Sequence, residues 1–104
     1  MDAVVDLEGL PWQELATGAR AKVCLRGAQR VRLAEFVDGF VEPDWCTAGH
    51  AGQVLEGACT LLTRTSEQRL EAGDVISIQP GEECAHKAVL GPGDRVLLLL
   101  FENV

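Results

Sequence analysis

Turn signals recur along this chain at short intervals and leave little room for a helix. Gly27-Ala28, Asp38-Gly39, Leu70 to Asp74, Pro80-Gly81 and Gly91-Pro92-Gly93-Asp94 each carry the Gly, Pro or Asp that a turn requires. The segments between them are short: Ala21 to Leu25, Arg30 to Phe36, Val54 to Thr63, Val75 to Ile78, Cys84 to Val89 and Arg95 to Phe101. None shows a helical period, and several alternate as strands do. Short strands between closely spaced turns predict an antiparallel sandwich or barrel.

Individual segments sharpen this. Val4, Val5 and Leu7 begin an extended arm or first short strand. Pro11 to Leu15 reads as a single helical turn with Pro near its start, and Trp12 as a cover for one end of the barrel. Arg30 to Phe36 sets Val31 and Leu33 on one side and Arg30 and Arg32 on the other, a half-buried strand. The run Val96 to Leu100 is too apolar for a one-sided surface strand. It predicts burial on both faces, with core inside and a partner subunit or covering segment outside. A chain of 104 residues supports one domain. Residues 1–20 are expected to form an arm with a short turn, and residues 21–104 the barrel.

Two stretches hold both histidines and two of the four cysteines. Asp44-Trp45-Cys46-Thr47-Ala48-Gly49-His50 leads into a strand ending in Leu55-Glu56-Gly57, with a tight turn at Thr47 to Gly49. Gly73-Asp74-Val75-Ile76-Ser77-Ile78-Gln79-Pro80-Gly81 leads into a strand carrying Cys84 and His86. These stretches resemble the two motifs of the cupin superfamily. In the first motif the family's His-x-His falls on Asp44 and Cys46, its Glu on His50 and its Gly on Gly57. In the second, Gly73 and Gly81 match, the usual His falls on Cys84, and His86 lies two residues beyond. The resemblance spans about residues 35–101 and implies an all-β cupin-type antiparallel barrel, a double-stranded β-helix or jelly roll. At most of the positions that bind metal in the family, this chain carries a different residue.

Residues two apart on a strand share a face, so Asp44 can point with Cys46 and Cys84 with His86. Cys46 and His50, four apart, would stand roughly 13 Å apart on one straight strand. A turn at Gly49 would bring His50 back opposite Cys46. The resemblance then implies that Cys46, His50, Cys84 and His86, with Asp44 as a further candidate, line one end of the barrel. Thiolates with imidazoles suit zinc, while soft thiolates disfavour magnesium, calcium and manganese. A divalent metal, zinc foremost, is the cofactor this reading favours. The alternative is a metal-free barrel in which the histidines line a pocket and the cysteines are buried thiols. No catalytic residue is assigned. The candidate bases are Asp44, Glu82 and Glu83, with Glu56 expected at the surface. The pairs Cys46–His50 and Cys84–His86 lack an evident third group to orient the base. Trp45, between two inward residues, is expected to point outward.

The formal net charge of −7 argues against nucleic acid and anionic membrane as partners. No basic segment followed by an apolar run opens the chain, so a secretory signal is not expected, and the longest apolar run is too short to span a bilayer. The cysteines are therefore expected to be reduced in the cytoplasm, with Cys24 and Cys59 as small buried apolar residues. Three functional readings follow: a small cytoplasmic cupin that binds a metal ion or a small-molecule ligand in its barrel; a metal-dependent cupin enzyme of oxygenase or isomerase class; and a homodimeric structural or regulatory module.

Overall fold

A computed structural model describes residues 2–103; Met1 and Val104 lie outside the described residues. The strands are β1 (Gln13–Ala16), β2 (Ala19–Arg26), β3 (Gln29–Val37), β4 (His50–Thr63), β5 (Glu67–Glu71), β6 (Val75–Ile78), β7 (His86–Val89) and β8 (Arg95–Asn103). All their pairings are antiparallel. One sheet runs β1-β2-β3-β8-β4-β6 and the other β5-β4-β7, with β4 shared. Among the described residues β5 and β6 do not pair, so the two sheets make an open jelly roll rather than a closed barrel.

The long strand β4 is the hinge of the architecture. Expected as two strands, it runs unbroken from His50 to Thr63, the first half in one sheet and the second half in the other. A bulge between Val54 and Glu56, followed by Gly57 at φ 73°, bends it across. Gly57 also lies so close to β8 that a Cβ would collide with the Arg95 carbonyl oxygen. Both the backbone angle and the contact require glycine there.

The core lies between the sheets, with Val54, Cys59 and Val96 fully buried and Ala34, Phe36, Leu98 and Leu100 packed beside them. In β8 the inner face is covered by Val96, Leu98 and Leu100, but the outer face only in part: Leu97, between Glu35 and Glu56, is buried, Leu99 is half-buried and Phe101 is exposed. The faces of β3 are arranged differently from a simple half-buried strand. Arg30 and Arg32 share the interior face with Ala34 and Phe36, while Val31 and Leu33 face outward and are buried as well. Inward arginines on a sheet need a buried counter-charge, and Glu102 of β8 supplies it.

Two local expectations are corrected. Pro11 to Leu15 is not a helical turn: Gln13 and Glu14 pair with Ala21 and Arg20 as strand β1. A lone helical turn is marginal in water, whereas the hairpin through Gly18 at φ 84° adds ladder bonds to an existing sheet. Trp12 consequently lies outside the barrel, its ring under the Arg20 guanidinium (4.0 Å) and the Lys22 ammonium (5.0 Å), rather than over one end. The preceding arm is tied to β2 by Arg26, which donates to the Asp2 and Val4 carbonyls, and by Lys22, which donates to Leu7.

Candidate metal centre

Cys46, His50 and His86 converge inside one end of the jelly roll, with one donor atom of each within 4.8 Å of the others. Three backbone devices bring them there. Cys46 and His86 form an antiparallel bridge, exchanging N–H···O bonds of 2.9 and 3.0 Å, so their side chains stand on one face. The loop Thr47 to Gly49 then turns the chain into β4, which opens at His50 beside Ile78 of β6. The Gly81 amide donates to the Thr47 carbonyl at 2.9 Å and ties the two motif loops together. The residue across from Cys46 is thus His86, not His50 as the turn alone implied. His50 reaches the same point from the first half of β4, which belongs to the other sheet.

The expected set does not assemble in full. The donor atoms of Cys84 and Asp44 are not part of this cluster. Cys84 is not on the strand with His86 but in a single 3-10 turn, Glu82–Cys84, so the two-residue alternation that would align it with His86 does not operate. Its backbone contributes instead, as its carbonyl oxygen lies 2.9 Å from Nδ1 of His86. Asp44 is solvent-exposed.

The donor set fits a transition metal. Sγ of Cys46 lies 3.4 Å from Nε2 of His50. A tetrahedral zinc with bonds of about 2.3 Å to sulfur and about 2.0 Å to nitrogen would set those atoms about 3.5 Å apart. The two imidazoles meet edge to face with centroids 5.1 Å apart, so neither stacks over the other's nitrogen. Each ring turns its Nδ1 to an outer acceptor: His86 to the Cys84 carbonyl and His50 to the Glu102 carboxylate. The Glu102 oxygen lies beside Nδ1, somewhat off the line of its N–H. With both Nδ1 atoms engaged outward, both Nε2 atoms are left for an ion. Were a tetrahedral ion held by these three donors, a fourth position would remain for water or a small molecule, as in catalytic zinc sites.

Glu102 was absent from the sequence-derived candidates. It is 4% exposed and receives Arg30 at 2.9 Å and both nitrogens of an Arg32 fork at 3.1 Å. Burial pushes its carboxyl up, but the contact with His50 and the charges of Arg32 and Arg30 outweigh it and hold the group at about 2. A signal for it existed. Glu102 continues the inward phase of Val96, Leu98 and Leu100, and an acid in that phase must find a buried partner.

The cluster opens on an interior cavity of about 60 Å³, walled by Phe36, Leu61, Ile76, Leu98 and Leu100 with Arg32 and Glu42 at its edge. That is far below the roughly 300–1,000 Å³ of drug-sized sites. The candidate bases named from sequence lie elsewhere: Asp44, Glu82 and Glu83 are exposed, Glu82 paired with Arg64 at 3.3 Å. Glu42 lines the cavity instead, with Oε1 accepting the Ala88 amide at 2.8 Å. Trp45 faces outward as expected, beneath Arg64 and Lys87. Cys59 is fully buried, and burial raises its thiol to about 11, whereas Cys24 is only half-buried.

No family model and no curated protein matches the chain. Solved structures do. The polyketide cyclase RemF from Streptomyces resistomycificus is 21% identical with a TM-score of 0.83, over 99% of this chain and 80% of that one. KdgF from Halomonas sp. is 22% identical with a TM-score of 0.74, over 96% and 91%. A cupin 2 conserved barrel domain protein from Salinispora arenicola is 14% identical with a TM-score of 0.71, over 97% and 86%. At these identities the likeness shows the fold, and the fold is that of a small cupin. A fold of this kind does not assign an activity.

Proposed function

We propose that this small cupin binds a divalent metal ion, zinc foremost, through Sγ of Cys46 and Nε2 of His50 and His86. The three donors line the interior cavity, which would admit a small molecule beside the ion. The observation that carries this reading is the outward engagement of both Nδ1 atoms, which aims two imidazoles and one thiol at a common point. Thiolate ligation favours zinc over magnesium, calcium and manganese, and four free thiols suit a reducing compartment, so we assign the protein to the cytoplasm. The cavity admits water-sized species or the tip of a larger molecule. The outward faces of Leu55 and Phe101, each 39% exposed, are the surface we assign to a homodimer.

The test is elemental analysis of protein purified under reducing conditions without a metal-affinity tag, beside a Cys46→Ala/His86→Ala variant. Near-stoichiometric zinc that disappears in the variant supports the reading. A folded wild type that holds no metal and takes none up on addition overturns it.

A second reading, a metal-dependent enzyme of oxygenase or isomerase class, is favoured by the open fourth position and by Glu42 at the cavity wall. Among proteins of the same fold are a polyketide cyclase and a sugar phosphate isomerase. A redox metal in place of zinc would favour this reading.

A further inference from the structure

We propose that Glu102 is the positioning residue of this centre: held between two arginines, it turns His50 so that Nδ1 carries the proton and Nε2 is presented to the ion. The proposal rests on the metal reading above and concerns how the site is built. Glu102 touches none of the other donor atoms of the cluster. It acts through His50 alone, as the carboxylate partner of a metal-binding imidazole does.

The geometry is specific. Glu102 ends the inward row of β8, and Arg30 and Arg32 approach it from the adjacent β3. Their charges keep a buried carboxylate anionic and hold both of its oxygens, so it cannot rotate away from His50. A carboxylate can only accept from a neutral imidazole, and this selects the Nδ1–H tautomer. His86 has a different arrangement, because its Nδ1 meets the Cys84 carbonyl, which no side-chain change removes. The two imidazoles are therefore oriented independently, and only one of them depends on a substitutable group.

The fold contains its own control. Glu35 is also a buried carboxylate of the same sheet, 8% exposed, and it also pairs with two arginines, Arg20 and Arg95. It points out of the opposite face and touches no histidine. Removing its charge should disturb packing to a comparable degree without reaching the centre.

The experiment has two arms. In metal-free wild type, long-range proton–nitrogen spectra of the His50 ring, recorded above its titration, should show hydrogen on Nδ1 and a bare Nε2. Cobalt(II) titrations, followed by thiolate-to-cobalt absorption, should show Glu102→Gln binding roughly 10–100-fold more weakly than wild type. Glu35→Gln should stay within about twofold of wild type. An Nε2–H tautomer in wild type overturns the proposal without any variant, so it remains falsifiable if Glu102→Gln fails to fold. Equal cobalt affinity in Glu102→Gln and wild type overturns the proposal and leaves the metal reading standing. A wild type that takes up no cobalt overturns the metal reading, and this proposal with it.

Discussion

Cys46 and His86 face each other as a backbone-bonded antiparallel pair, although they stand forty positions apart in the chain. The bridge fixes one thiol and one imidazole on a common face, and His50 enters from the start of β4, in the other sheet, to complete the cluster. A site assembled from two loops and two strands should respond to substitutions in the frame as well as in the donors.

Cysteine reactivity should separate into two classes. Cys59 is fully buried and its thiol is raised to about 11 by burial, so it should resist a disulfide reagent until the protein unfolds. Cys24, Cys46 and Cys84 are half-buried and should react in the native state. Added zinc should slow the reaction of Cys46 alone, since the other two lie outside the cluster. Mass mapping of modified peptides with and without zinc reads this directly. Equal protection of Cys84 would mean that the donor set differs from the one described.

Acid should destabilise the metal-free protein through Glu102. Its folded pKa of about 2 lies below the ordinary value of 4.5. Ionised Glu102 therefore stabilises the fold fully above pH 4.5, and this contribution is lost as pH falls from there toward 2. The depression corresponds to stability of order 3 kcal/mol. Glu35, also held low by Arg20 and Arg95 in spite of burial, adds in the same direction. Urea midpoints measured from about pH 5 down to about pH 3 should fall steadily. A flat profile would contradict the ion-pair assignment.

Gly57→Ala should be far more damaging than Gly27→Ala. Both glycines have positive φ, 73° and 61°, but only at Gly57 would a Cβ collide with backbone, at the Arg95 carbonyl. The left-handed backbone alone costs about 1 kcal/mol, and the collision at the β4 bend should raise the cost above about 3 kcal/mol. Denaturant unfolding of the two variants would show a similar loss for both if the bend at Gly57 were not tight.

Leu98→Ala should cost about 2–5 kcal/mol, since the side chain is 6% exposed and walls the interior cavity. The same substitution enlarges the space beside His50. Calorimetry of this variant should show the lower melting temperature. If the cavity is the entry to the open metal position, small thiols or azide should bind the metal-loaded variant more tightly than wild type.

Much of the fold was legible in sequence because turn residues and alternation are local. Pro80-Gly81, Gly91 to Asp94 and the alternating run at Arg30 to Phe36 each act through the backbone angles and side-chain directions of a few neighbouring residues. The errors arose where local rules met tertiary competition. Pro11 to Leu15 became a strand because β2 offered it a partner. Cys84 left the strand because a 3-10 turn follows Gly81, and its side chain then lost the phase it would have shared with His86.

The sequence by itself determined the all-β architecture, the loops that carry the donors, and the presence of Cys46, His50 and His86 near one end. The architecture and the loops follow from periodicity and turn chemistry, and the gathering of the donors at one end from the resemblance of the two stretches to the cupin motifs. Only the tertiary structure decided which donors meet and what stands behind them. Cys46 met His86 because the loop before β4 bridges the start of β7, a segment distant in sequence. Glu102 became part of the site because β8 lies between β3 and β4, which sets its carboxylate between Arg30, Arg32 and His50. Register across non-adjacent strands is a long-range property, settled by the packing of the whole core, and no local pattern in the chain encodes it.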